Sequence, residues 1–182
     1  MPVDRARLTH SWRPGCPVAP EDLRLITLTH WDFDGRVRSG ELMVHRDQAE
    51  NVIKAMARLF EQRFPIERIE LVEKYGGDDE RSMQANNTSA FNCREVEDRP
   101  GAWSEHAFGR AIDINPVQNP FVLPSGKVSP PSGLEYVDRS KNRPGMIHTN
   151  DPVVAAFSSI GWEWGGTWPR SKDYQHFSAT GR

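Results

Sequence analysis

The apolar residues of the chain fall into short runs separated by long polar stretches, with one sustained periodic segment. "DLRLITLTHWDF" (22–33), rich in Leu, Ile and Thr, predicts a strand; Asp34-Gly35 after it is a hairpin signal, and Gly40 to His45 predicts the returning strand. Over Arg46 to Phe64, residues Ala49, Val52, Ile53, Met56, Leu59 and Phe60 recur at three- and four-residue steps. That period predicts one clear helix packed on the sheet, with Asp47 near its start and Pro65 just past its end. "IERIELVEKY" (66–75) reads as an alternating strand, and residues 76–103 form a polar connection too long to be mere linkage. In "RAIDIN" (110–115) a helix is excluded by Gly109, by the β-branched Ile112 and Ile114, and by Pro116. As a strand it sends Ala111, Asp113 and Asn115 to one side and Ile112 and Ile114 to the other. A Pro/Gly/Ser-rich excursion (119–133), a short helix (151–160) and a tryptophan-rich terminal segment complete the chain, with no internal repeat. The expected fold is α+β, a small antiparallel sheet core with one long helix and long loops. Residues 1–20 read as an N-terminal extension to a domain spanning 21–182.

Composition narrows the function classes. At 182 residues, 37% hydrophobic and 26% charged, the chain is one domain's length with a real core and no run long enough to span a membrane. Lys and Arg total 23 against 25 Asp and Glu, a net charge of -2 that provides no electrostatic reason to expect nucleic acid as a partner. The first twenty residues contain no apolar leader core, so the expectation is a cytosolic protein, or one whose leader was removed or lies outside this sequence. The two cysteines, Cys16 and Cys93, form either one long-range bridge or two free thiols.

The candidate chemistry lies in two places. "SEHAFGRAIDINP" (104–116) brings His106 through a glycine turn to a strand carrying Asp113, and "KDYQHF" (172–177) holds Asp173 three residues before His176. His106, Asp113 and His176 make a set of three N/O ligands that leaves a fourth position open, the requirement of a catalytic zinc, and Asp173 is placed to act on a water there. Three residues apart, Asp173 and His176 are expected to share a face of a helical turn. The other acid of the segment, Glu163, lies between Trp162 and Trp164 on an expected strand and faces away from both. His10, His30, His45 and His148 show no local carboxylate pattern and read as surface or packing residues.

The order S-x-H-x-x-G-x-A-x-D (Ser104, His106, Gly109, Ala111, Asp113), followed near the C-terminus by acid-x-x-H (Asp173, His176), resembles the D-alanyl-D-alanine metallopeptidase family. That family includes vancomycin-resistance D,D-peptidases and L-alanyl-D-glutamate endolysins, with the hedgehog signalling domain as a structural cousin, and the likeness spans roughly residue 22 to the end. The resemblance implies a hedgehog/D,D-peptidase-like fold and one Zn2+ per chain held by His106, Asp113 and His176, with Asp173 as the base. It implies cleavage of a peptide bond in peptidoglycan stem peptides outside the cytoplasm, by an exported, monomeric protein. The family also uses an arginine upstream of the first motif for substrate or oxyanion; Arg94 is the candidate here and Arg81 the runner-up. An aspartate stands at 173 where carboxypeptidase members carry glutamate, as in the endolysin-type branch.

Substrate contacts are expected from Ser104, Ser89 and Trp164. Ser104 equally suits a turn that supports His106; Asn86, Asn87, Thr88 and Ser89 equally suit turn chemistry; and one or two of Trp162, Trp164 and Trp168 are expected in the core. Two rivals to the peptidase reading are a zinc-binding cell-wall recognition module without turnover and a two-metal phosphoesterase.

Overall fold

The computed structural model describes residues 3–96 and 99–181. Met1, Pro2, Glu97, Asp98 and Arg182, which fall within the expected extension and domain, lie outside the described residues. In chain order the elements are β1 (Leu23–Trp31), β2 (Val37–His45), α1 (Ala49–Glu61), β3 (Arg68–Ile69), α2 (Asp79–Gln84), β4 (Asn87–Thr88), β5 (Ala111–Asp113), β6 (Phe121–Val122), β7 (Val128–Ser129), α3 (Pro152–Ser158), β8 (Glu163–Trp164), β9 (Lys172–Asp173) and β10 (His176–Ser178). Four small sheets result: β1-β2, β3-β4, β5-β10-β8 and β7-β6-β9. The fold is α+β. All strand pairs are antiparallel except β3-β4, which is parallel.

The β1–β2 hairpin pairs from Leu23 opposite His45 to Trp31 opposite Val37. Its turn is ordered by Asp32, whose Oδ1 accepts from the amides of Asp34 and Arg36. Helix α1 is shorter than the periodic segment. It ends where Arg63 takes a left-handed φ of 53° and the amide of Phe64 reaches back to the carbonyl of Leu59, a Schellman closure that satisfies the last carbonyls. Its buried face is Val52, Ala55, Met56 and Leu59, so Ala55 takes the inward position and Ile53 stays exposed, against expectation.

Residues 66–75 correct the expected strand. Ile66, Ile69 and Val72 are the buried positions, a spacing of three rather than two, so only Arg68–Ile69 pairs as a strand and Val72–Tyr75 turns as a 3-10 helix. The long polar connection is not structureless: it contains α2 and β4, and its segment 89–93 is tied by backbone bonds to four separate parts of the fold. Ser89 exchanges two bonds with Asp113, Phe91 donates to Met43, Asn92 donates to the carbonyl of His106, and Cys93 donates to Ser11. The Pro/Gly/Ser excursion likewise folds, supplying β6 and β7.

The main core gathers the inner faces of β1–β2, α1, α3 and the β5-β10-β8 sheet, with Ile112, Ile114, Phe157, Trp162 and Phe177 almost without exposure. A second cluster of Leu8, Val18, Leu23, Leu25, Met43, Phe91 and Cys93 receives the N-terminal residues. There Cys16 and Cys93 are joined as a disulfide, with Cα atoms 5.9 Å apart. Ser11 and the amide of His10 bind the Glu73 carboxylate at 2.8–2.9 Å, so the described N-terminal residues pack against the rest.

Phe157 stacks on Phe177 at 4.3 Å and touches Trp162 at 5.9 Å between ring centroids. Phe157→Ala is therefore expected to lower unfolding stability by about 3–5 kcal/mol, measured by urea denaturation; a loss below about 1 kcal/mol would show that this stack does not organise the core.

Candidate metal centre

His106 lies on a single 3-10 turn, Glu105–Phe108, built for it by its neighbours. The Oγ of Ser104 accepts the amide of His106 at 3.3 Å, capping the turn. Gly109 ends it with a φ of 66°, and a Cβ there would stand 2.6 Å from the amide nitrogen of His45 in β2. Glycine is thus required twice, for the left-handed backbone and for the approach that lets its carbonyl accept from His45 at 2.8 Å. The turn aims the imidazole inward, where Nδ1 lies 2.6 Å from the carbonyl oxygen of Ala90. A carbonyl only accepts, so Nδ1 carries the hydrogen and Nε2 presents its lone pair.

Asp113 and His176 come from a different source, the pairing of β5 with β10, in which they stand directly opposite one another. Alternation along β5 turns Ile112 into the core and Asp113 away from it, as the sequence pattern requires. The paired backbone bonds to Ser89 fix Asp113 from its other edge. His106 Nε2 is 3.1 Å from Asp113 Oδ2, His176 Nδ1 is 3.0 Å from Asp113 Oδ1, and the two ring nitrogens are 3.3 Å apart. All three residues are buried. Burial alone would raise the Asp113 carboxyl, but the two histidines outweigh it and hold the group well below the ordinary carboxylate range.

This donor set fits a small divalent cation. Ligands at 2.0–2.1 Å in a tetrahedron stand about 3.3–3.4 Å apart, close to the separations here. With Nδ1 committed to Ala90, His106 Nε2 faces a carboxylate and a second imidazole in a buried volume, an arrangement that a bound cation would relieve. Two nitrogens and one oxygen leave a fourth position for a reacting group, and oxygen with imidazole suits zinc among the common ions.

Three charged groups border the cluster. Asp173 is partly buried, and its Oδ1 is shielded from solvent without a hydrogen-bond partner. Its carboxyl is raised to about 7, mainly by burial; Asp113 and Asp79 add to the rise, while His176 and Arg94 oppose it. Arg94 lies 3.0 Å through Nε from Asp79 Oδ2. Burial works against its cation, but Asp79, Asp113 and Asp173 outweigh that and raise its pKa. The arginine belonging to the cluster is therefore Arg94. Arg81 is an exposed residue of α2 whose backbone amide caps onto Asp78.

Other sequence candidates sort differently. Ser104 is a buried cap and Ser89 holds Asp113 through its backbone. Trp164, expected at the substrate, is 4% exposed in the main core, its Nε1 donating to the carbonyl of Tyr174; burial of a large ring won over display. The tryptophan beside the cluster is Trp168, its ring centroid 5.5 Å from that of His176. Asp173 and His176 do not share a helical turn: each begins or ends a strand, in separate sheets. His45 does have a carboxylate, Asp47 at 2.6 Å, which also binds Arg110, but this trio is outside the metal cluster. Glu163 is exposed. Sequence reasoning missed Asp79, whose only signal was a place at the head of a short helix, and Gly165, where a Cβ would stand 2.7 Å from the Asp173 carbonyl oxygen and 3.3 Å from His176 Cβ.

With this geometry in place, one comparison bears on it. A family model described as D-alanyl-D-alanine carboxypeptidase matches residues 97–179, which include His106, Asp113, Asp173 and His176. Over this segment the chain is similar to the D-alanyl-D-alanine carboxypeptidase family. Neither the curated proteins nor the solved structures yield a match. Arg94, Asp79, Ser89 and Ala90 precede the segment by which the family is recognised.

The close approach at Gly165 makes a specific demand. Gly165→Ala should force the Asp173–His176 segment outward, costing about 1–3 kcal/mol of stability and weakening metal uptake, by thermal unfolding and metal titration. Wild-type values for both would show that the site tolerates the displacement.

Proposed function

We propose that the protein is a zinc peptidase that hydrolyses a peptide bond in the stem peptides of bacterial peptidoglycan. The observation that carries this reading is the meeting of three buried, mutually facing ligand groups with a guanidinium and a carboxylate whose Oδ1 has no hydrogen-bond partner among the described residues. His106, Asp113 and His176 would hold the ion. When bound, zinc supplies Lewis acidity, polarising a scissile carbonyl and making a water acidic near neutral pH.

The protein's own residues do the rest. The Ala90 carbonyl keeps the proton on His106 Nδ1, so Nε2 stays a donor of electrons. Asp173, with a carboxyl raised toward neutrality, takes a proton from the attacking water and passes it to the departing amine. The Arg94 guanidinium, steadied by Asp79, offers its remaining N–H groups to the negative charge that develops on the substrate oxygen. Trp168 forms one wall beside His176. All these residues come from a single chain, so a monomer suffices. The aspartate at 173, in place of the glutamate of carboxypeptidase members, favours the L-alanyl-D-glutamate bond over D-alanyl-D-alanine. The substrate lies outside the cytoplasm, so an exported protein is part of this reading, and a Cys16–Cys93 disulfide suits an oxidising compartment.

Elemental analysis should give one zinc per chain, lost when His106, Asp113 or His176 becomes Ala; retention of the metal in all three variants would refute the ligand set. Asp173→Ala should keep its zinc and lose roughly 10²–10⁴-fold in turnover, while Glu163→Ala changes little. The reverse ranking in folded, zinc-loaded variants would move the base to Glu163. Mass spectrometry of digested muropeptides reads which bond is cut, and zinc-loaded protein that releases no fragment from any peptidoglycan would leave a recognition module.

A further inference from the structure

Asp173 and His176 are separated only by Tyr174 and Gln175, yet they answer to different sheets. His176 is fixed opposite Asp113 in β5-β10-β8, whereas Asp173 is fixed opposite Phe121 in β7-β6-β9. Whatever sets the turn at Tyr174–Gln175 therefore sets the distance from the acid to the metal ligands. The Oδ1 of the carboxylate is not tied down by any hydrogen bond among the described residues.

The turn is gripped at Tyr174. Its carbonyl accepts from Trp164 Nε1 at 2.8 Å, and its ring lies between Trp164, at 6.1 Å, and the guanidinium of Arg139, at 4.4 Å. Arg139 is a partly buried cation that takes oxygen atoms rather than a carboxylate as its close partners. Nη1 donates to the carbonyls of Gln118 and Tyr136 at 2.8 and 3.1 Å; Nη2 donates to the Ile147 carbonyl and to Asn119 Oδ1 at 2.5 and 3.1 Å. Gln118 and Asn119 are the stem from which β6 departs. The chain thus closes a ring of contacts: β6 pairs with Asp173, Asp173 leads into Tyr174, Tyr174 carries Arg139, and Arg139 grasps the stem of β6. Burial lowers the Arg139 pKa to about 10, so at neutral pH the group remains a cation. A guanidinium alone among side chains can donate to several oxygens in its plane while laying its face on an aromatic ring.

We propose that the Arg139–Tyr174 stack is the joint that fixes Asp173 relative to His106, Asp113 and His176, making Arg139 and Tyr174 positioning residues for the reaction. The assignment rests on Asp173 acting as the base. The ligands themselves are held elsewhere, by the Ala90 carbonyl, by Ser89 and by the β5–β10 pairing, so the joint governs the acid and not the ion.

The test uses the full chain loaded with zinc, as wild type, Tyr174→Phe, Tyr174→Leu and Arg139→Lys. Three quantities are read: bound zinc, kcat and KM on peptidoglycan, and amide hydrogen exchange of residues 172–176 against 106–113. Tyr174→Leu should bind one zinc, keep KM within about twofold and lose roughly 10–10²-fold in kcat, the scale of a misplacement of about 1 Å. Its 172–176 amides should exchange about tenfold faster while those of 106–113 do not change. Tyr174→Phe, which keeps the ring face, should match wild type. Arg139→Lys, which keeps charge but not the fork, should fall between. The proposal is overturned if Tyr174→Leu turns over like wild type, if Tyr174→Phe is impaired as much as Tyr174→Leu, or if either Tyr174→Leu or Arg139→Lys loses zinc or fold together with activity. A wild-type protein that cuts no peptidoglycan would instead refute the peptidase reading, and the exchange contrast would still decide the joint.

Discussion

Three lone pairs pointed at one buried spot are an unstable arrangement, and much of this molecule is arranged to enforce it. An imidazole nitrogen, a second imidazole nitrogen and a carboxylate lie within 3.0–3.3 Å of one another. Each was brought there by backbone geometry: a capped 3-10 turn for His106, a cross-strand pair for Asp113 and His176. Desolvation penalises such a cluster, and a cation held by the three residues would offset that penalty. Rigidity at Gly109, Ser89 and Ala90 is the structural counterpart of that demand.

Around this fixed point the charges are partitioned by support. The ligands belong to one sheet and its attached turn, the acid Asp173 to another, and Arg94 to the irregular segment before them, where Asp79 holds its Nε edge. The fold can therefore keep the ion's surroundings constant while the acid and the guanidinium are set by separate contacts. This division explains why so much polar, loop-like sequence is ordered here.

How much of this was readable in the chain depends on the range of the interaction responsible. The three clustered residues were legible because both motifs are local: a glycine that ends a turn, a β-branched alternation around Asp113, and an acid three residues before a histidine. The hairpin and α1 were legible for the same reason. Residues 66–75 misled because an extended segment and a 3-10 turn can show similar polarity, and only burial at Ile66, Ile69 and Val72 reveals the period of three. Trp164 and Trp168 could not be told apart, since composition does not say which ring a neighbouring core will claim. Asp79 and the support of Asp173 leave no local signal: Asp79 meets Arg94, 15 residues on, through side chains alone, and Asp173 pairs through its backbone with Phe121, about 50 residues back. The expected helical turn between Asp173 and His176 is absent because a spacing of three does not require a shared helical backbone; the two residues lie at the facing ends of strands in two sheets.

The knot at residues 89–93 bears on what counts as the unit of this protein. Its five consecutive residues lie ahead of the stretch by which kinship is recognised, yet the carbonyl at Ala90 decides which nitrogen of His106 is available and the backbone at Ser89 braces Asp113. Nothing in their side chains advertises this, since a carbonyl and an amide are common to almost every residue. Such dependence acts through the path of the backbone and not through the identity of its residues. Relatives could differ freely in spelling here while being unable to lengthen or shorten the stretch, so the trace of shared descent would be sought in the spacing between the knot and His106 rather than in matching residues.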